Sequence, residues 1–194
     1  MMPMKLEKIE DNGIYCKFTL KDAGAYCANA IRRAAINHVK CFAIDTVTFY
    51  DNTSAIFDEY IAHRIGLIPI KTPSSGYSDE DEVIFTLDAT GPKTVYSGEL
   101  SSRDKEVRVA NDKIPIIKLA AEQKLRVDCK AVMGTGFRHS KFQPGIVTYD
   151  SPDENTFNFY VETFGQMPPK EIINKAVGAI KDELKEIAKE VKKI

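Results

Sequence analysis

The stretch from residue 168 to residue 194 reads PPKEIINKAVGAIKDELKEIAKEVKKI. Its two prolines suit the opening of a helix, where a first-turn N–H has no intrahelical acceptor to lose. The large apolar residues that follow are Ile173, Val177, Ile180, Leu184, Ile187, Val191 and Ile194, at alternating steps of four and three. A helix lying on an ordinary core shows a broader, less regular stripe; a strict heptad is a narrow seam that matches another long helix. Lysine and glutamate fill the other faces, with Asp182 and Lys185, Glu186 and Lys189, and Glu190 and Lys193 spaced to meet on the surface. At ~1.5–3 kcal/mol for each large aliphatic, burying the seam supplies on the order of 10 kcal/mol before ordering costs. Something must cover it.

Only one other segment has a long helical period, from about Ala23 to Val39. Ala28, Ile31, Ala35 and Val39 form its stripe, broadened by Ala30 and Ala34. Pairing of these two helices within the chain is one way to cover the seam. An alanine-rich face is too small for all seven rungs, however, so a partner chain is its natural complement. Arg32 and Arg33 sit together at the middle of the first helix.

The remaining signals are mostly β. Ile14, Cys16, Phe18 and Leu20 alternate with polar residues, and Asp11-Asn12-Gly13 before them is turn chemistry, which makes Lys5–Glu10 a candidate hairpin arm. Cys41 to Tyr50 reads as a strand. Asp51-Asn52-Thr53-Ser54 offers turn and cap residues for a short helix, with Asp58 and Glu59 suiting its start and Arg64 its end. Gly66 and Pro69 stop it. Val83, Phe85, Leu87 and Ala89 alternate, as do Leu125, Val127, Cys129, Ala131 and Met133, and a last strand carries Phe157, Phe159 and Val161. The fold class is α+β.

Composition narrows the function. Lysine and arginine number 27 against 28 aspartate and glutamate, a net charge of −1, where a chain that neutralises many phosphates carries a basic surplus. Cys16, Cys27, Cys41 and Cys129 are scattered, with no C-x-x-C pair for zinc or iron–sulfur. Glu59 and His63 stand four apart without the second histidine of a metalloprotease helix, so no metal site is expected. Asp58 and Glu59 are adjacent and diverge on a helix, so no catalytic pair forms. The opening residues have no apolar run after their lysine, which reads as no signal peptide and a cytoplasmic location. Arg138-His139-Ser140-Lys141, between Phe137 and Phe142, mixes basic and aromatic residues as single-strand binders do. A stand-alone nucleic-acid-binding module is therefore the alternative reading, and the overall charge opposes it.

Three stretches carry a resemblance. Ala28–Ala34 followed by Cys41–Asp45, the long run Asn52–Ile70 (NTSAIFDEYIAHRIGLIPI), and Phe137–Pro144 (FRHSKFQP) together resemble the α-like subunits of multisubunit RNA polymerase. The second and third are similar to the archaeal and eukaryotic branch. The resemblance implies a discontinuous α/β dimerisation domain, residues 1–43 and 156–194, interrupted by a β-rich insert domain, residues 44–155. It implies a non-catalytic assembly platform that pairs with the smaller α-like subunit L, is joined by subunits N and P, and recruits the large catalytic subunits. Ala28, Ile31, Ala35, Ile173, Val177, Ile180, Leu184, Ile187 and Val191 are then the expected contacts with L. Arg32, Arg33, Asn52, Asp58, Glu59, His63 and Arg64 are the expected contacts with large subunits. Many relatives carry a cysteine-rich iron–sulfur insertion before the last strand; here Tyr149–Asn155 runs straight on without cysteine, and no cofactor is expected.

Overall fold

A computed structural model describes residues 4–193. In chain order the elements are β1 (Lys5–Asp11), β2 (Tyr15–Lys21), α1 (Ala25–Asn37), β3 (Lys40–Asn52), α2 (Asp58–Gly66), β4 (Glu82–Thr90), β5 (Lys93–Tyr96), β6 (Ser101–Ser102), β7 (Pro115–Leu119), β8 (Lys124–Thr135), β9 (Gly145–Asp153), β10 (Thr156–Thr163) and α3 (Pro169–Val191). They form two units, residues 1–39 with 135–194, and residues 40–134.

The first unit is built on an antiparallel sheet in the order β1-β2-β10-β9. Its opening hairpin closes where turn chemistry placed it. Asn12 Oδ1 accepts the backbone N–H groups of Ile14 and Tyr15, and Gly13 takes φ +86°, a conformation that glycine adopts without steric cost. Register then decides what is buried. Cys16 lies opposite Val161, Phe18 opposite Phe159 and Leu20 opposite Phe157, so all six side chains share one face. The Phe18 and Phe159 rings stack with centroids 4.8 Å apart. Thr19 and Asn158 fall on the opposite face and hydrogen-bond each other. Helix α1 packs against α3 and β9, and α3 also reaches β2 and β10.

The last part of the expected insert domain packs with this sheet. Residues up to 155 were expected in the insert domain, yet β9 pairs with β10 along its length, Val147 against Val161 and Tyr149 against Phe159. Val147 is buried in the core that Phe157 and Phe159 build, so residues 135–155 belong with the first unit. At the other boundary, β3 begins at Lys40, four residues before the expected division.

The second unit holds a sheet in the order β3-β8-β4-β6 and a two-stranded sheet, β5-β7. Strand β4 alternates without exception: Val83, Phe85, Leu87 and Ala89 are buried and the residues between them exposed. Antiparallel pairing sets Phe85 against Cys129 and Leu87 against Val127, which merges two alternating strands into one apolar layer. Helix α2 covers that core through Ile61 and Ile65, four apart and both fully buried, worth about 1.5–3 kcal/mol each. Its start corrects the sequence reading. The helix begins at Asp58 with Phe57 at the cap position and no side-chain cap, so the Asp51–Ser54 group does not cap it. Asn52 instead closes β3, and its side chain bonds Ile56 O, Asp58 Oδ1 and Ser54 N–H, pinning the loop that leads into the helix.

Candidate subunit interface

Helix lengths set the geometry of the candidate interface. At 1.5 Å per residue, the 23 residues of α3 span about 35 Å and the 13 of α1 about 20 Å. Just beyond the end of α1, His38 Nδ1 lies 2.8 Å from Glu183 Oε1, so α1 runs out about level with residue 183. Among the described residues, no helix covers the remainder of α3.

Burial along α3 follows that overhang. Ile172 and Ala176 are fully buried and face the unit's own core, while Ile173, Val177 and Ile180 are half-buried. Leu184, Ile187 and Val191 are 59%, 60% and 62% exposed. Ile194 lies outside the described residues. Helix α1 therefore covers the first half of the helix, and among the described residues no other helix covers the second. Three ion pairs at spacing three, Asp182 with Lys185, Glu186 with Lys189 and Glu190 with Lys193, at 2.6–2.8 Å, run along the exposed part.

Helix α1 contributes less to this surface than the sequence pattern implied. Ala28 and Ala35 are fully buried within their own unit, so they cannot touch a partner; Ile31 is half-buried. Small buried side chains of this kind let neighbouring elements, here α3 and β9, pack closely on α1. Where α1 ends, the chain is held by close backbone approach. The N–H of Phe137 donates to Asn37 O, and a Cβ on Gly136 would stand 2.2 Å from Ile36 O.

The residues expected to meet large subunits divide in two. Arg32 is turned onto its own helix, donating to Asn29 Oδ1 at 3.0 Å, whereas Arg33 is exposed with no hydrogen bond or ion pair among the described residues. Neither forms a salt bridge among the described residues. Arg64 donates Nε to Ile116 O at 2.9 Å and Nη2 to Pro115 O, which fastens α2 to β7. Asn52 and Asp58 are bonded to each other. Those three carry bonds within the chain, yet Asp58 and Arg64 are exposed, as are Arg33, Glu59 and His63.

Two residues that the sequence reading passed over stand out beside them. Phe57 is 81% exposed and Tyr60 64% exposed. With Ile61, Ile65 and Ile68 turned inward, residues 57, 60, 64 and 67 fall on the outer side of α2 at steps of three, four and three. That spacing was the signal that could have found them.

The basic and aromatic cluster at 137–142 is compact. The Arg138 guanidinium and Lys141 ammonium lie 5.5 and 5.3 Å from the centre of the Phe142 ring, which is fully buried, while Phe137 is exposed. The four cysteines are spread over both units, Cys16, Cys41 and Cys129 buried. Burial pushes the Cys129 thiol up to about 12. No ligand set for an iron–sulfur cluster comes together among the described residues. No described helix is long and apolar enough to cross a membrane.

Comparison with known proteins supplies the family. Residues 42–152 match the RNA polymerase Rpb3/RpoA insert domain. The DNA-directed RNA polymerase subunit Rpo3 of Methanocaldococcus jannaschii is 40% identical over 177 residues, 91% of this chain and 90% of that one. Rpo3 of Halobacterium salinarum is 31% identical over 240 residues, 96% of each chain. Rpo3 of Pyrococcus furiosus is 45% identical over 150 residues, and the matched part covers 56% of its length. With a family match over more than half its residues and a 40% identical relative aligned nearly end to end, the chain belongs to the archaeal Rpo3, or D, family of DNA-directed RNA polymerase subunits.

Proposed function

We propose that this chain is the non-catalytic assembly platform of its polymerase. It pairs with the smaller α-like subunit L through the overhanging half of α3, and the pair then recruits the large catalytic subunits and subunits N and P. The observation that carries this reading is the row Leu184, Ile187 and Val191, exposed on a helix that outruns α1. At about 25 cal/mol per Å² of apolar surface, covering these three rungs supplies a few kcal/mol, and covering the half-buried Ile173, Val177 and Ile180 adds to it. A net charge of −1 favours a protein partner over free nucleic acid. Arg33, Asp58, Glu59, His63 and Arg64, with Phe57 and Tyr60, are exposed residues offered to large subunits; arginine and aromatic side chains are enriched at such contacts. No cofactor enters this role.

Leu184→Asp tests the reading. A carboxylate buried in an apolar seam without a partner costs several kcal/mol, so L is expected not to copurify with the variant. Because Leu184 is exposed in the free chain, denaturation of the variant alone should shift by no more than about 0.5 kcal/mol. Normal retention of L would count against the proposal.

A further inference from the structure

The charges beside the seam bear on which helix can lie against it. In heptad terms Leu184 and Val191 occupy one core position, and Ile180 and Ile187 the other. Glu183 and Glu190 precede the first pair and line one flank; Lys181 and Ala188 follow the second pair and line the other. These flanking positions face a partner helix and set which partner is accepted.

A second copy of this chain fits the apolar rungs but not the flanks. Laid antiparallel with Leu184 against Ile187 of the copy, it places Glu183 opposite Glu190 of that copy, and by symmetry does so twice. Laid parallel and in register, it sets Glu183 opposite Ala188, with no ion pair. The glutamates do have ties within the chain: Glu183 meets His38 at 2.8 Å and Glu190 meets Lys193 at 2.6 Å. All four groups are substantially exposed, and exposed pairs of this kind rearrange at little cost.

We infer that Glu183 and Glu190 are specificity residues, which turn the seam away from a second copy of this chain and toward a partner helix with a basic facing flank. This rests on reading α3 as the helix that pairs with L. The apolar rungs hold any complementary helix, and the flanking carboxylates choose among helices.

Glu190→Lys in the full chain tests it. The substitution turns both antiparallel Glu–Glu contacts into Glu–Lys contacts. By sedimentation velocity at low salt, the variant is expected to self-associate on the order of tenfold more tightly than wild type. It is expected to retain L on the order of tenfold more weakly, and both differences should shrink near 1 M salt. Glu190→Gln, which removes repulsion without adding attraction, should fall between. Equal self-association of Glu190→Lys and wild type overturns the inference, as does undiminished retention of L by that variant. If wild type itself fails to retain L, the reading of α3 as the L-pairing helix falls, and self-association still decides the charge rule.

Discussion

Arg64 shows how one side chain can carry a tie that its place in the sequence does not announce. A cation in the last turn of α2 suits the helix dipole, and the family resemblance implies a contact with another subunit. Its guanidinium is bonded to the carbonyls of Ile116 and Pro115, 52 and 51 residues away in sequence. Arg64→Ala leaves both carbonyls without that donor and should destabilise the second unit by about 1–3 kcal/mol, measured by chemical denaturation. Asp11 makes a comparable tie in the first unit. Its carboxylate meets Lys170 at the start of α3 at 2.7 Å and accepts the Gly13 N–H, which lowers its pKa from 3.8 to about 2. The folded state therefore favours the charged form. That contribution is complete above pH 3.8 and disappears as pH falls through about 2. Acid unfolding of wild type should show this loss between about pH 4 and pH 2, and the curve for Asp11→Asn should lack it. Neither tie was legible in the sequence, because each joins residues far apart in the chain.

At the scale of elements, periodicity was the reliable signal. Strand β4 is buried at every second residue, as its alternation requires, and β1 and β2 flank the turn that Asp11-Asn12-Gly13 forms. Caps were less legible. Asn52 and Ser54 have cap chemistry, yet their side chains bond within the loop before α2, since short polar side chains satisfy any nearby backbone group. Glycine in α3 offers a test at this scale. Gly178 sits in the helix interior, and a Cβ there would meet nothing within 4 Å. Gly178→Ala should therefore stabilise the first unit by about 0.5–1 kcal/mol through helix propensity, seen as a raised denaturation midpoint. A loss of stability would show that the site tolerates no Cβ.

For the whole molecule the chain leaves one unit after α1, builds a second, and returns to complete the first sheet with β9 and β10. Sequence alone does not show that return: β9 reads as one more alternating strand, and nothing local says which sheet it joins. The overhang of α3 is likewise a property of the assembled unit, and both the pairing with L and the charge rule are judged on it. What the amino-acid order determined unaided was the α+β class, the alternating strands, the three helices and the heptad seam with its excess of aliphatic rungs. Each follows from neighbours within a few residues, where steric preference and hydrophobic period act directly. Which rungs stay bare, which arginine is free and which strand closes which sheet were decided only in three dimensions, because burial belongs to the packed surface and no short window of sequence contains it.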